Sequence, residues 1–272
     1  MEQYIEVKFE TKEDFQNEIL IALLSEIGYE GFEEDGRILK AFIPESHFDE
    51  VVLKELAVKS GLEFSNTVIP VKNWNSIWES EFHPVVVNDF VGIRAGFHKS
   101  ITGVRYEIVI TPKMSFGTGH HDTTYMMIQS LENLDLKKKS VADFGTGTGI
   151  LAILASKLGA SKILGIDHDE WSIRNAEENF LENHVDNVSL SNTGVFPSDD
   201  SWDLILANIN KLVILSNIKV ISNTLAPGGI LITSGYLLED EADMLNAAES
   251  HGLSKLSIQR RNNWLCITFK KV

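Results

Sequence analysis

Cysteine is almost missing from this 272-residue chain. The single one, Cys266, lies among Trp264, Leu265, Ile267 and Phe269, which reads as a buried strand residue and excludes an internal disulfide. No run of roughly eighteen apolar residues occurs, so no membrane span is expected. The start, Met1-Glu2-Gln3-Tyr4-Ile5-Glu6, carries neither basic residues nor an apolar stretch. No secretory signal is therefore expected, and the cytoplasm is the default. Basic residues are scarce: 24 Lys and Arg face 39 Asp and Glu, a formal charge of −15. A chain this acidic repels nucleic-acid phosphates. The imbalance is concentrated at the front, where residues 1–65 hold 6 basic against 16 acidic side chains, a net of −10. Residues 66–80 balance at one of each, leaving 17 against 22, or −5, for the rest. An acidic front suits a basic partner, with solubility alone as the plainer alternative. The 43% hydrophobic content allows a sizeable core.

The most informative stretch is Val141-Ala142-Asp143-Phe144-Gly145-Thr146-Gly147-Thr148-Gly149, running into Ile150-Leu151-Ala152-Ile153-Leu154-Ala155. An apolar run ends in an acid, breaks into three alternating glycines, and becomes an apolar helix closed by Gly159. Glycines let the backbone turn tightly and approach a ligand where a Cβ would collide. Twenty-two residues after Gly145, a second apolar run ends in Asp167. That spacing brings a carboxylate to ribose hydroxyls in a nucleotide-binding βαβ unit. The dinucleotide fingerprint needs a third glycine at position 150, which is Ile150, so a dehydrogenase is disfavoured. The D-x-G-x-G-x-G pattern instead resembles the first motif of the class I S-adenosyl-L-methionine (AdoMet)-dependent methyltransferases. An acid at the strand end also suits a ligand carrying an amino group and a sulfonium.

Ahead of this motif, residues 4–10 alternate as a strand, and a helix follows with Phe15, Ile19, Ala22, Leu23 and Ile27 assigned to its buried face. A hairpin spans Gly31 to Ile43 around Asp35-Gly36. A second helix is expected to bury Phe48, Val51, Val52 and Leu56, and a strand runs from about Leu62 to Val71. The order β-α-β-β-α-β is that of a small ferredoxin-like domain. It lacks clustered His, Cys or Ser, and we read residues 1–65 as a recognition module. Residues 66–84 form a connector in which Trp74, Ile77, Trp78 and Phe82 recur at helical spacing, with His83 structural. From residue 85 to 272 the chain reads as a second domain. It opens with strands at Val85–Val87, Phe90–Arg94 and Tyr106–Thr111. The loop Met114-Ser115-Phe116-Gly117-Thr118-Gly119-His120-His121-Asp122-Thr123-Thr124 opens a helix whose apolar side carries Met127, Leu131 and Leu134. Thr123 and Thr124 sit where free N–H groups would receive a ligand carboxylate. His120 and His121 are adjacent and lack a nearby third ligand, which argues against a metal. Beyond the glycine turn, helices and strands alternate. A helix runs to Leu225, breaks at Ala226-Pro227-Gly228-Gly229, and a closing hairpin joins Lys255–Gln259 to Trp264–Phe269. Gly145, Asp167 and Asn208 all fall at strand carboxyl ends, where such sheets bind ligands.

Taken together, these features resemble the PrmA family, methyltransferases of large-subunit ribosomal protein eleven (L11), over essentially the whole length. The resemblance rests on the acidic front domain, the Trp74–Trp78–His83-Pro84 connector, Phe116-Gly-Thr-Gly-His-His-Asp-Thr-Thr124, Asp143–Gly149, Gly165-Ile-Asp167 and Ala207-Asn-Ile209. It implies a class I AdoMet-dependent methyltransferase: an α/β, Rossmann-like, mostly parallel sheet with an antiparallel closing hairpin, plus an N-terminal ferredoxin-like α+β domain that holds the ribosomal protein. It also implies AdoMet contacts from Thr124, Gly145, Asp167 and Asn208, to which the motif itself adds Asp143, Gly147 and Gly149. The reaction implied is repeated N-methylation of lysine side chains and the terminal amine, up to trimethyl, with Asn208 as the catalytic positioning residue and no metal. No membrane or direct nucleic-acid partner is expected. Asn210 departs from the apolar residue common in the family, placing an added amide near the acceptor pocket. Asn208-Ile209-Asn210 lacks the Pro-Pro-Tyr continuation of adenine and glutamine N-methyltransferases. A small-molecule methyltransferase and a non-catalytic AdoMet-binding chaperone remain open alternatives at this level.

Overall fold

Alternation in Tyr4-Ile5-Glu6-Val7-Lys8-Phe9-Glu10 translates into a strand, β1 (Tyr4–Glu10), that buries Ile5, Val7 and Phe9 on one side only. The computed structural model describes residues 3–13, 15–69, 82–113 and 115–272, and the chain divides into two compact units at residues 81 and 82. In the first unit β1 is followed by α1 (Phe15–Glu26), β2 (Gly31–Asp35), β3 (Ile38–Pro44), α2 (Glu50–Ser60) and β4 (Phe64–Ile69). The strands form one antiparallel sheet ordered β2-β3-β1-β4, the ferredoxin-like arrangement expected. Asp49 caps α2 by accepting from the Val51 and Val52 amides, and Gly61 ends it in a left-handed conformation. β4 runs into the stretch 66–84 assigned above to a connector, because it pairs with β1 as far as Ile69. Trp74, Ile77 and Trp78 lie outside the described residues, as does Met114.

The helices are rotated relative to the sequence reading. α1 buries Asn17, Leu20 and Leu24, leaving Phe15, Ile19, Ala22 and Leu23 exposed, with only Ile27 partly buried against the core. The segment Ile19-Leu20-Ile21-Ala22-Leu23-Leu24 is apolar all round, so two stripes compete for the core. Asn17 breaks the tie. Its side-chain oxygen accepts from the Thr11 hydroxyl (2.9 Å), and its amide donates to Glu34 (3.0 Å) and to the Gly36 carbonyl (3.1 Å), which turns that face toward the hairpin. In α2, Leu53 and Ala57 are buried, Phe48 and Leu56 are partly buried, and Val51 and Val52 are exposed.

The second unit opens with a three-stranded sheet, β5 (Val85–Val87), β6 (Val91–Arg94) and β7 (Tyr106–Val109). Then come α3 (Asp122–Leu131), β8 (Ser140–Phe144), α4 (Ile150–Lys157), β9 (Lys162–Asp167), α5 (Glu170–Glu182), β10 (Val188–Asn192) and β11 (Trp202–Asn208). The chain finishes with α6 (Lys211–Thr224), β12 (Leu225–Leu237), α7 (Glu241–Ser250), β13 (Leu253–Arg261) and β14 (Trp264–Lys271). The large sheet is ordered β10-β9-β8-β11-β12-β14-β13, with β14 running against its neighbours. Extended structure begins at Leu225, earlier than the Pro227-Gly228-Gly229 break suggests. Leu225 pairs with Trp202, and regular pairing resumes at Ile230 after a bulge.

Alternate residues of each strand feed cores on opposite faces of this sheet. Val141, Leu204, Leu206 and Ile232 face Met127, Leu151 and Phe180 on one side. Ala142, Phe144, Ile205 and Leu231 face Ile214, Ile218 and Met244 on the other. Cys266 is buried in β14 as expected, and burial pushes its thiol up to about 12. Strand order reverses between β8 and β11. Their carboxyl ends, with that of β9, therefore open the crevice where ligands bind in such sheets.

Candidate active site

β8 delivers Asp143 into the buried layer beneath α4, and the glycine turn follows directly. Gly145 and Thr146 both donate backbone N–H groups to the Ile166 carbonyl of β9 (2.8 and 2.9 Å). All three glycines of the turn are required, Gly149 because a Cβ there would lie 2.5 Å from Phe180 Cε1. A Cβ on Gly145 would lie 2.1 Å from Ile209 Cγ2, and one on Gly147 only 2.3 Å from the Phe116 carbonyl oxygen. The backbone there is also left-handed, with φ of 77° and 53°. Gly149 caps α4 without a side chain.

Asp167 closes β9. Its carboxylate accepts from the Gly147 amide and the Asp169 amide, both at 3.0 Å, so it is locked against the glycine turn. Asp143 accepts from the Thr146 hydroxyl (2.8 Å). Burial pushes its carboxyl up to about 7, partly opposed by the Thr146 bond and the Ala152 amide and reinforced by the negative charge of Asp167.

Asn208 ends β11 and reaches α3, where its amide donates to the Thr124 hydroxyl at 3.3 Å. Its side-chain oxygen is buried and has no hydrogen-bond partner among the described residues. Asn210 does not extend an amide oxygen into this space. That oxygen caps α6 by accepting from the Val213 amide (3.1 Å), which corrects the placement read from sequence. The seven site residues named from sequence thus share one crevice: Asp143, Gly145, Gly147 and Gly149 in the turn, Asp167 against it, and Thr124 bonded to Asn208.

These groups fit a ligand with hydroxyls, an ammonium and a carboxylate. Asp167 offers an acceptor beside the half-buried Gly145 backbone, the unpartnered Asn208 oxygen seeks a donor, and the start of α3 favours an anion. The whole-chain comparison then decides the family. Residues 6–272 match the family described as ribosomal protein L11 methyltransferase (PrmA).

The chain belongs to the PrmA family.

A relative of that name from Phocaeicola vulgatus is 37% identical, covering 98% of this chain and 99% of its own. One from Porphyromonas gingivalis is 39% identical, covering 93% and 90%. The crystal structure of a ribosomal protein L11 methylase from Lactobacillus delbrueckii subsp. bulgaricus superposes with a TM-score of 0.65 at 28% identity, over 70% of this chain and all of that one. This PrmA-family protein is an AdoMet-dependent methyltransferase. Among the described residues no helix is long and apolar enough to cross a membrane, and no three of His, Cys, Asp and Glu converge as a metal site.

Other parts of the PrmA-family site were not legible in the sequence. The loop carrying Phe116 and Gly117 is strapped onto the glycine turn by Thr148, whose amide donates to the Phe116 carbonyl (3.0 Å) and whose hydroxyl donates to that of Gly117 (2.6 Å). His121 caps α3, its Nδ1 accepting from the Thr123 amide (3.3 Å). Its ring lies edge-on between Phe116 (5.3 Å) and Trp264 (4.7 Å), making a row of three aromatic rings. His120 turns the other way. Its Nε2 meets the His83 carbonyl at 2.8 Å, so that nitrogen carries the proton, and Nδ1 accepts from the Thr118 hydroxyl (3.1 Å). Asp122 receives Arg261 and Asn262, both at 2.6 Å, and these two partners hold its carboxyl below the usual range. They pin the closing hairpin to the start of α3.

An asparagine ladder on α5 supports the turn from behind. Asn179 donates to the Thr148 carbonyl (2.8 Å) and accepts from the Thr111 amide (2.7 Å). Asn175 donates to the Thr111 carbonyl (3.1 Å), and Asn183 makes both bonds with Val109 (2.6 and 2.9 Å). Asparagines at 175, 179 and 183, four apart, were the available signal. Asn179→Ala is expected to destabilise the fold by about 2–4 kcal/mol, because the buried Thr148 carbonyl and the part-buried Thr111 amide lose their partners. Thermal unfolding checks this, and AdoMet affinity measured by titration calorimetry should fall with it.

Proposed function

We propose that this chain methylates lysine side chains and the terminal amine of ribosomal protein L11, up to the trimethyl state. The single observation that carries the proposal is the buried, unpartnered Asn208 oxygen beside Thr124 at the switch point of the sheet. An acceptor held in that place suits an amine that brings its own N–H groups.

When bound, AdoMet supplies an electrophilic methyl group on a sulfonium, which departs without help from an acid or a metal. The protein's task is alignment. Asp167 would hold ribose hydroxyls, the start of α3 at Thr124 would hold the amino-acid carboxylate, and the turn of Gly145, Gly147 and Gly149 would leave room for the ligand. Asp143 contributes negative potential from beneath the turn. A lysine amine, with an ordinary pKa of about 10.4, must arrive without its proton. Apolar walls disfavour the ammonium form, and Phe116, His121 and Trp264 provide such a wall. Their π faces also accommodate the methylated ammonium that results, which suits repeated transfer. Asn208 orients the amine through its side-chain oxygen.

The front unit, with its net charge of −10 over residues 1–65, recognises the basic substrate. The compartment implied is the cytoplasm, where ribosomal proteins are made. Intact-mass measurement of unmodified L11 after incubation with the protein and AdoMet tests the proposal. A ladder of methyl increments is expected, and peptide mapping should assign them to lysines and the terminal amine. An unchanged mass with intact AdoMet binding would overturn it.

A further inference from the structure

α1 has two apolar stripes, and the domain core uses only one. Leu20 and Leu24 close the core from below. On the opposite face Phe15, Ile19 and Leu23, four residues apart, remain 61%, 53% and 38% exposed, with Ala22 exposed among them. Consecutive turns place these three side chains in a ridge about 12 Å long. A small monomeric domain rarely exposes such a ridge without a use for it.

The surrounding charge narrows that use. α1 carries Glu18 and Glu26 and no Lys or Arg, and both carboxylates are exposed beside the ridge. A second copy of this chain would bring the same acidic face, and the two would repel. On the far side of the sheet, by contrast, charges pair with one another: Lys40 with Glu33 at 3.3 Å and Lys8 with Glu10 at 3.9 Å. Within the described residues of the front unit, the α1 face combines large apolar anchors with unbalanced negative charge.

We infer that the Phe15–Ile19–Leu23 face of α1 docks the protein substrate, through a surface on that substrate with apolar residues edged by Lys and Arg. This rests on the L11 reading above and specifies the surface it uses. Apolar anchors supply affinity, and the carboxylates supply orientation and encounter rate.

The test is steady-state kinetics of the full chain carrying Phe15→Ala, Ile19→Ala and Leu23→Ala together, since alanine preserves helix propensity. The KM for L11 is expected to rise about tenfold or more, with kcat at saturating L11, AdoMet affinity and Tm unchanged. Methylation of a short lysine peptide that lacks the apolar, basic-edged docking surface should match wild type. Glu18→Lys with Glu26→Lys should raise the KM for L11 and flatten its dependence on salt. A wild-type KM in the triple variant overturns the inference. A fall in Tm assigns the ridge to packing within the chain, and conversion of a wild-type dimer to monomer assigns it to self-association; either result also overturns it. Wild-type protein that leaves L11 unmodified defeats the substrate reading itself, and that arm is read before any variant.

Discussion

Asn208→Ala is expected to lower kcat by roughly a hundredfold, because misplacing a reacting group by even an ångström has that scale of effect. The same change should leave Tm close to wild type. Among the described residues the Asn208 oxygen makes no hydrogen bond, and its amide makes one, of 3.3 Å, to Thr124. Alanine therefore removes a buried, unpartnered polar atom, which offsets the lost contact. Turnover on L11, AdoMet affinity and thermal unfolding should be measured on one preparation. Wild-type turnover at unchanged AdoMet affinity would remove Asn208 from the positioning role. A large loss of Tm would instead make it a structural residue.

The second large effect concerns pH. Burial raises Asp143 from 3.8 to about 7 in the folded protein, whereas in the unfolded chain it titrates near its ordinary value. Across the window from about 4 to 7 the folded state therefore binds more protons than the unfolded state, and stability falls as pH rises. Below the window the carboxyl is neutral in both states and the penalty disappears. Above it the penalty is complete, on the order of 4 kcal/mol. Asp143→Asn keeps an oxygen for the Thr146 hydroxyl and cannot ionise. Its Tm should match wild type near pH 4 and exceed it progressively toward pH 8. AdoMet binding should weaken in the same variant, because the negative potential beneath the turn is lost. A difference in Tm that stays constant with pH would show that Asp143 ionises normally.

Taken together, the two variants separate the functions of the crevice. In the proposed mechanism Asn208 acts at its open side on the incoming amine, while Asp143 acts from below through charge. One change should reduce turnover with little effect on stability, and the other should increase stability while weakening the cofactor site.

What the sequence determined by itself was whatever short-range constraints encode. The turn from Asp143 to Gly149 was legible because left-handed backbone and close approach select glycine within a few residues. Asp167 was legible because strand, turn and helix lengths fix the span to the next strand end. The alternating α/β pattern, the ferredoxin-like order and the buried strand position of Cys266 follow from hydrophobic periodicity. Asn208 was identified as a site residue by resemblance and by its strand end, although neither revealed that its oxygen is unpartnered. Only the tertiary structure decided which face of α1 is buried, because its segment from Ile19 to Leu24 is apolar on all sides and Asn17 sets its rotation through Glu34 and Gly36. Asn179 and Asn183 bond Thr111 and Val109, and Arg261 of the closing hairpin holds Asp122 at the start of α3. These contacts join segments far apart in the chain, so no local pattern carries them. Apolar periodicity shows that a helix has a buried side; where two sides qualify, the distant polar partner chooses between them.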